Sequence, residues 1–132
     1  MDGGQDTEVP SEVRAFLANC IESFEQLEVL MTLRRDDRSV RPRDLARRLV
    51  LKEAVVREQL ERLAGRGLLD VKLGAEDVMY RYDAASVTLR DTVDRLARCY
   101  ADAGLAAITS NRRRRAAAAA WLHRASRQKT AR

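Results

Sequence analysis

The sequence SVRPRDLARRL at residues 39–49 is followed, three residues later, by EAVVREQLERLAGRGLL at residues 53–69. Pro42 suits the first turn of a helix, because a missing N–H costs nothing there. Each segment also repeats its apolar residues at helical spacing. The apolar positions of the first helix are Leu45, Ala46 and Leu49, and those of the second are Val56, Leu60 and Leu63. The two segments therefore predict a pair of short helices joined by a tight turn.

The pattern changes from helix to strand directly after this pair. Gly65 or Gly67 can end the second helix by adopting a positive φ. Apolar residues then recur at every second position, which is typical of half-buried strands. They are Leu69, Val71 and Leu73 in the first run and Val78, Tyr80 and Tyr82 in the second. Because the short loop at residues 74–77 connects the two runs, we predict a two-stranded hairpin.

Further helices are predicted on both sides of this segment. Upstream, Ser11 can cap one helix, and SFEQ at residues 23–26 has the form of a capping box that begins another. Downstream, the helical period returns with Ser86 or Thr88 as the first residue. The apolar residues of this long helix follow a heptad spacing and are Leu89, Val93, Leu96, Tyr100, Ala103 and Ala107. Such a seam indicates a packing or dimerisation helix.

The composition argues against several classes of protein. The longest apolar run, at residues 116–122, is far shorter than the roughly 20 residues of a membrane span, and the acidic N-terminus is unlike a signal peptide. Two cysteines and one histidine are too few for structural zinc, which usually takes about four such ligands. No catalytic nucleophile motif, Gly-rich phosphate loop or acid–base pair is recognisable. We therefore expect a cytoplasmic protein that is not an enzyme and has no metal, cofactor or membrane partner.

The net charge of +5 is unevenly distributed along the chain. Residues 39–67 contain eight Lys or Arg and four Asp or Glu. Residues 1–38, by contrast, contain four Lys or Arg and nine Asp or Glu. Residues 111–132 contain eight Lys or Arg and no acid, in a segment that predicts one more helix from Arg112 to about Ser126. The chain therefore has an acidic body with two basic segments, and basic segments attract nucleic acid.

The order of three helices, a hairpin and a long helix carries a family resemblance. Together with L-A-x-x-L at residues 45–49 and L-x-x-L-x-x-x-G-L-L at residues 60–69, residues 21–83 resemble bacterial winged helix-turn-helix transcriptional regulators of the MarR-like and ArsR-like kind. The similarity is greatest to small winged-helix proteins without an assigned ligand. The implied fold is mainly α with a small two-stranded β wing. The predicted divisions are a disordered leader at 1–10, a winged helix-turn-helix domain at 11–85, a dimerisation or packing helix at 86–110 and a basic helix and tail at 111–132.

The resemblance implies a homodimeric transcriptional regulator that reads duplex DNA. In this family the second helix of the pair enters the major groove, and the wing and helix N-termini contact phosphates. The implied DNA-binding residues are Arg41, Arg43, Arg47, Arg48, Lys52, Ala54, Arg57, Glu58, Arg62, Lys72 and Arg81, with Arg112, Arg113, Arg114 and Arg115 as a basic arm. Arg57 would read guanine with a bidentate contact, and Glu58 would accept a hydrogen bond from cytosine.

Four acidic residues depart from the pattern of DNA-binding members. Glu53 and Glu58 lie on the helix that would read DNA, and Glu76 and Asp77 lie at the wing tip. A carboxylate beside a phosphate is repelled. These residues favour an alternative, in which the winged helix is a protein–protein interaction module that does not read DNA specifically.

Overall fold

The computed structural model describes residues 9–103 and 112–127, with side chains from 116 to 126 in the second range. Six helices and two strands follow one another in this part of the chain. They are α1 (Ser11–Cys20), α2 (Phe24–Asp36), α3 (Pro42–Leu49), α4 (Glu53–Gly65), β1 (Leu69–Leu73), β2 (Val78–Tyr82), α5 (Val87–Asp102) and α6 (Arg112–Arg127). The predicted fold class, mainly α with a small two-stranded β wing, is confirmed.

The described residues divide into two compact units. The first combines the residues up to Phe24 with those from Asp91 onward. In it α1 packs against α6, and the rings of Tyr100 and Trp121 meet edge to face with centroids 6.0 Å apart. Most of the predicted leader, residues 1–8, lies outside the described residues, whereas Val9 is buried.

The second unit, Glu25–Arg90, contains the predicted helix pair and the hairpin. Here α3 packs against α4, α4 contacts β1, and α3 contacts β2. Leu45, Val56 and Leu60 are all fully buried, as their helical spacing predicts. Burying the apolar stripes of α3 and α4 leaves their polar faces in solvent, and those faces carry the residues of the candidate interface.

The turn between α3 and α4 has a left-handed residue. Val50 adopts φ 57° at the end of α3, and the Leu51 N–H donates to the Ala46 carbonyl over 3.0 Å. This is the hydrogen-bond pattern that glycine usually completes. Because left-handed backbone is strained for a β-branched residue, the turn exists at an energetic cost. It brings the two helices together within three residues.

Two other helix boundaries are defined by local structure. Gly67 adopts φ 81° just after α4, so it is the glycine that takes the positive φ. At the start of α5, the Leu89 N–H donates to the Ser86 hydroxyl over 3.1 Å. Ser86 therefore caps α5, and Thr88 lies inside the helix.

The hairpin is antiparallel and is held at its base. Leu69 pairs with Tyr82, and the register continues to Leu73 opposite Val78. Val40, just before α3, exchanges two backbone hydrogen bonds of 2.8 and 2.9 Å with Tyr80. Strand β2 is therefore bonded to β1 on one edge and to Val40 on the other, and the hairpin is connected to the start of the helix pair.

The prediction of a half-buried β1 is wrong for most of the strand. Leu69 is buried, but Val71 is 46% exposed and Leu73 is 89% exposed. The alternation correctly identifies which residues share a face of the sheet. It does not indicate how far the core extends: on β1 the core reaches only Leu69, whereas on β2 it reaches Tyr80. The tip therefore projects apolar side chains into solvent.

Candidate nucleic-acid interface

Helix α3 has an apolar face that packs into the core and an outer face that carries arginines. Pro42, Leu45, Ala46 and Leu49 are buried. The arginines between them, Arg43, Arg47 and Arg48, are exposed. The resemblance also assigns residues between Lys52 and Glu58, at the start of α4, to DNA. Among them Ala54 is exposed and Arg57 is half-buried. These surfaces, together with the wing, form the candidate interface.

Arg57 lies at the centre of this interface and is held by two carboxylates. Its Nε–H donates to Glu53 Oε2 over 3.0 Å, one helical turn earlier. Its two terminal nitrogens donate to the two carboxylate oxygens of Asp77 over 3.3 and 2.5 Å. These hydrogen bonds to Asp77 and Glu53 raise the pKa of the guanidinium. Arg57 is therefore a bridge between α4 and the wing tip in this conformation, and its role in reading guanine stays a prediction.

The wing tip turns its acidic residues back onto the helix pair. Glu76 accepts a hydrogen bond of 3.4 Å from Arg41, which also donates to Asp44 over 3.2 Å. Asp77 is bound by Arg57 and accepts a further bond of 2.7 Å from the Val78 N–H. The hydrogen bonds from Arg57 and Val78 lower the pKa of the Asp77 carboxyl. Asp77 is thus fixed as an anion against the cations of the interface.

A glycine makes this arrangement of the wing tip possible. The Gly74 N–H donates to the Asp77 carbonyl over 2.7 Å and closes the loop. A Cβ at position 74 would lie 2.7 Å from that carbonyl oxygen, closer than real Cβ atoms approach backbone. Only glycine fits here without movement of the loop.

Other predicted DNA-binding cations also have acidic partners. Arg48 lies 2.5 Å from Asp36, Arg62 lies 2.7 Å from Glu58, Arg81 lies 3.2 Å from Asp37, and Arg43 lies 3.9 Å from Glu53. Burial opposes ionisation of Asp36, but the hydrogen bond and charge of Arg48 outweigh it and the pKa of Asp36 is lowered. The wing flank and both helices are therefore covered by ion pairs.

Three predicted cations stand apart from this network. Arg47 on α3, Lys52 at the start of α4 and Lys72 on β1 are exposed. Within the described part of the chain none of their side chains has an ion-pair or hydrogen-bond partner. Each lies on a different element of the winged helix. They are the cations that the folded chain leaves available to a phosphate.

Two depressions lie between α3 and the wing tip. The larger, of about 470 Å³, is lined by residues that include Val40, Leu45 and Met79 together with Arg38 and Arg48. The smaller, of about 150 Å³, is lined by three arginines and three acids: Arg41, Arg43, Asp44, Arg47, Glu76 and Asp77. Cations and carboxylates therefore alternate in the groove that a DNA backbone would approach.

Some of the predicted site residues lie outside the described part of the chain. The side chains of Arg112, Arg113, Arg114 and Arg115 lie outside the described residues, as does Ala107 of the α5 seam. Asp36 and Asp37 were missed as members of the interface. The sequence gives no periodic signal for them, because their partners lie on α3 and β2.

The seam of α5 is covered within a single chain. Val93 and Leu96 are fully buried and Tyr100 is 5% exposed, whereas Leu89 is half-buried and Ala103 is exposed. The chain's own residues therefore cover the three central residues of the seam. The assignment of this seam to a dimer interface stays a prediction.

Other chemistry is sparse in the described residues. They contain no group of three or more His, Cys, Asp and Glu side chains arranged to hold a metal ion. Cys20 and Cys99 are free and half-buried, and burial raises the pKa of the Cys99 thiol. No helix in the described ranges has both the length and the apolar character to cross a bilayer.

No family model and no curated protein matches this sequence. Among solved structures, the ST1889 protein of the archaeon Sulfolobus tokodaii is similar, with a TM-score of 0.50 and 20% identity over 74% of this chain and 93% of that one. Bordetella bronchiseptica BpsR, whose DNA binding is regulated by 6-hydroxynicotinic acid, has a TM-score of 0.49 and 19% identity over 95% of this chain and 87% of its own. The organohalide-sensing transcriptional regulator RdhR-CbdbA1625, in its 2,4-dichlorophenol-bound form, has a TM-score of 0.49 and 23% identity over 91% of this chain and 73% of its own. The similarity to ST1889 shows the fold alone.

Proposed function

We propose that this chain is a DNA-binding transcriptional regulator that contacts duplex DNA with its winged helix-turn-helix. The observation that carries the proposal is the placement of Arg47, Lys52 and Lys72. They lie on α3, at the start of α4 and on the wing, all exposed and, in the described ranges, without acidic partners. These are the three elements with which a winged helix meets a duplex. One available cation on each of these elements would allow the chain to contact the phosphate backbone at three positions.

The test is a titration of random duplex DNA at several salt concentrations. Each phosphate contact contributes about 0.9 to the slope of log affinity against log salt. Replacing Arg47, Lys52 and Lys72 by Ala should therefore lower the slope by about 2.7 in total. Arg98→Ala, an exposed change on α5, removes the same kind of charge from a residue that the resemblance does not assign to DNA, and it serves as the control. An unchanged slope in the triple variant would refute this mode of binding.

The basic arm at Arg112–Arg115 is proposed as a second, sequence-independent contact. Cations that meet only phosphate carry no base information. Replacing the four arginines by Ala should therefore weaken binding to all duplexes by the same factor. A loss confined to particular sequences would contradict this role.

The homodimer and its predicted use of the α5 seam both stay predictions. Two-fold symmetry would place two reading helices on paired half-sites. Val93, Leu96 and Tyr100 are buried in one chain, which favours dimer contacts through other residues, such as the exposed Ala103. Sedimentation of the purified protein measures the mass directly. A monomeric mass at micromolar concentration would remove the dimer from the proposal.

A second candidate function, a protein-interaction module, is favoured by the ion pairs themselves. Arg41, Arg48, Arg57, Arg62 and Arg81 each lie within 3.4 Å of a carboxylate, so the face is nearly neutral. A neutral face of alternating charges suits a protein partner better than a polyanion. If loss of the arginine arm abolishes DNA binding while the triple Ala variant binds as before, this second function is the correct one.

A further inference from the structure

The wing tip and the helix pair are joined by two ion pairs between residues far apart in sequence. Asp77 binds Arg57 across 20 positions and Glu76 binds Arg41 across 35. Both pairs lie within the second unit. They are the contacts through which the acidic tip covers cations that the family resemblance assigns to DNA.

Asp77 binds Arg57 in the way that a phosphate would. Two parallel N–H groups of a guanidinium recognise carboxylate and phosphate oxygens in the same bidentate manner. Both terminal nitrogens of Arg57 point to Asp77. A nearby depression is lined by Arg41, Arg43 and Arg47 beside the same carboxylate, so the Asp77 anion lies near three arginines that the resemblance assigns to DNA, in addition to Arg57.

The backbone of the loop holds Asp77 in this position. The Gly74 N–H donates to the Asp77 carbonyl and the Val78 N–H donates to its side chain, each over 2.7 Å. The carboxylate is therefore placed by the loop as well as attracted by Arg57. Yet the Arg57 and Asp77 side chains remain 37% and 26% exposed, and ion pairs open to water are readily exchanged for other partners.

We propose that Asp77, assisted by Glu76, occupies a phosphate site of the interface and is displaced from it when duplex DNA binds. This inference rests on the proposed function. The acidic wing tip then does not exclude DNA binding; it sets its strength, because each phosphate must compete with a carboxylate already in place.

The test compares neutral variants of three wing carboxylates in the salt titration. Asp77→Asn removes the bidentate carboxylate from the terminal nitrogens of Arg57, which then keeps only Glu53, and should raise affinity about five-fold at 0.15 M salt, with a slope steeper by about 0.9. Glu76→Gln should have a smaller effect, because Glu76 makes a single hydrogen bond of 3.4 Å to Arg41 and its side chain is 80% exposed. Asp70→Asn is the matched control: Asp70 is exposed on the same wing and has no ion-pair partner within the described ranges, so the slope should not change.

A double variant separates the exchange of partners from a general change of charge. In the Arg57→Ala background, Asp77→Asn should lose its advantage and behave like Asp70→Asn. Thermal unfolding of each variant verifies that it is folded. If the wild type binds DNA and Asp77→Asn matches Asp70→Asn, the phosphate-site proposal is wrong while the function stands. If neither the wild type nor any variant binds duplex at low salt, the proposed function fails and this inference fails with it.

Discussion

The apolar seam of α5 and the charged face of the second unit are both satisfied within the chain, but by interactions of different strength. The seam consists of Val93, Leu96 and Tyr100, all buried. The charged face consists of ion pairs whose side chains stay partly in water, such as Arg41 with Glu76. Burying a large apolar side chain contributes about 1.5–3 kcal/mol, whereas an exposed ion pair contributes about 0–1 kcal/mol. The buried seam is therefore not accessible to a partner in this conformation, whereas a competing anion can replace the carboxylates of the exposed ion pairs.

This difference decides which of the two surfaces is suited to binding. Exposing the seam to a partner would first require uncovering side chains that are fully buried. Exposing Arg57 requires only the exchange of one carboxylate for another anion. The four predictions below test this contrast, beginning with the seam.

The largest effect is expected for Leu96→Ala. Leu96 is fully buried in α5, and deleting a buried leucine side chain costs about 2–5 kcal/mol through lost burial and the cavity left behind. Urea denaturation should show this loss at every protein concentration, because the packing is within one chain. Arg98→Ala, on the exposed side of the same helix, should change stability by less than about 0.5 kcal/mol. A loss that depends on protein concentration would restore the seam as a dimer interface.

A smaller effect is expected for Gly74→Ala at the wing tip. The new Cβ would meet the Asp77 carbonyl at 2.7 Å, so the loop must move, at a cost of about 1–3 kcal/mol for an overpacked site. Gly65→Ala is the matched control, since a Cβ there meets nothing within 4 Å and should be neutral or mildly stabilising. Gly74→Ala should also raise DNA affinity in the direction of Asp77→Asn. Equal stability of the two glycine variants would show that the tip is not held by this turn.

We expect Arg57→Ala to lower stability by less than Gly74→Ala does, and this loss should depend on salt concentration. Its partners are Glu53 and Asp77, and partly exposed charges are screened as ionic strength rises. The loss on urea denaturation should be smaller than that of Gly74→Ala and should shrink between low salt and about 1 M salt. The loss for Leu96→Ala should not shrink, because apolar burial is not screened. A salt-independent loss for Arg57→Ala would mean that its packing matters more than its charge.

Sequence patterns predicted the two regions unequally, for a physical reason. Apolar spacing identifies which face of α4 or α5 is buried, because helical periodicity is local. The pair of Glu53 with Arg57 follows from the same local spacing. The pair of Asp77 with Arg57 depends instead on how the hairpin is oriented over α4. Equally, the heptad spacing of the seam reveals that Leu96 is buried but not which residues cover it.

The smallest effect concerns the pH dependence of the wing contact. Arg57 lowers the pKa of Asp77 below its ordinary value of 3.8, so the folded state favours the ionised carboxylate. Such a group stabilises the fold fully above the ordinary pKa and loses this contribution as pH falls through the lowered one. The difference in unfolding free energy between wild type and Asp77→Asn should therefore be constant from pH 7 to pH 5 and disappear only well below pH 3.8. The difference for Leu96→Ala, which involves no titrating group, should persist through the same range. If the Asp77→Asn difference vanished near pH 6 instead, the carboxylate would not be held by Arg57, and the charged face would not be closed in the way that distinguishes it from the seam.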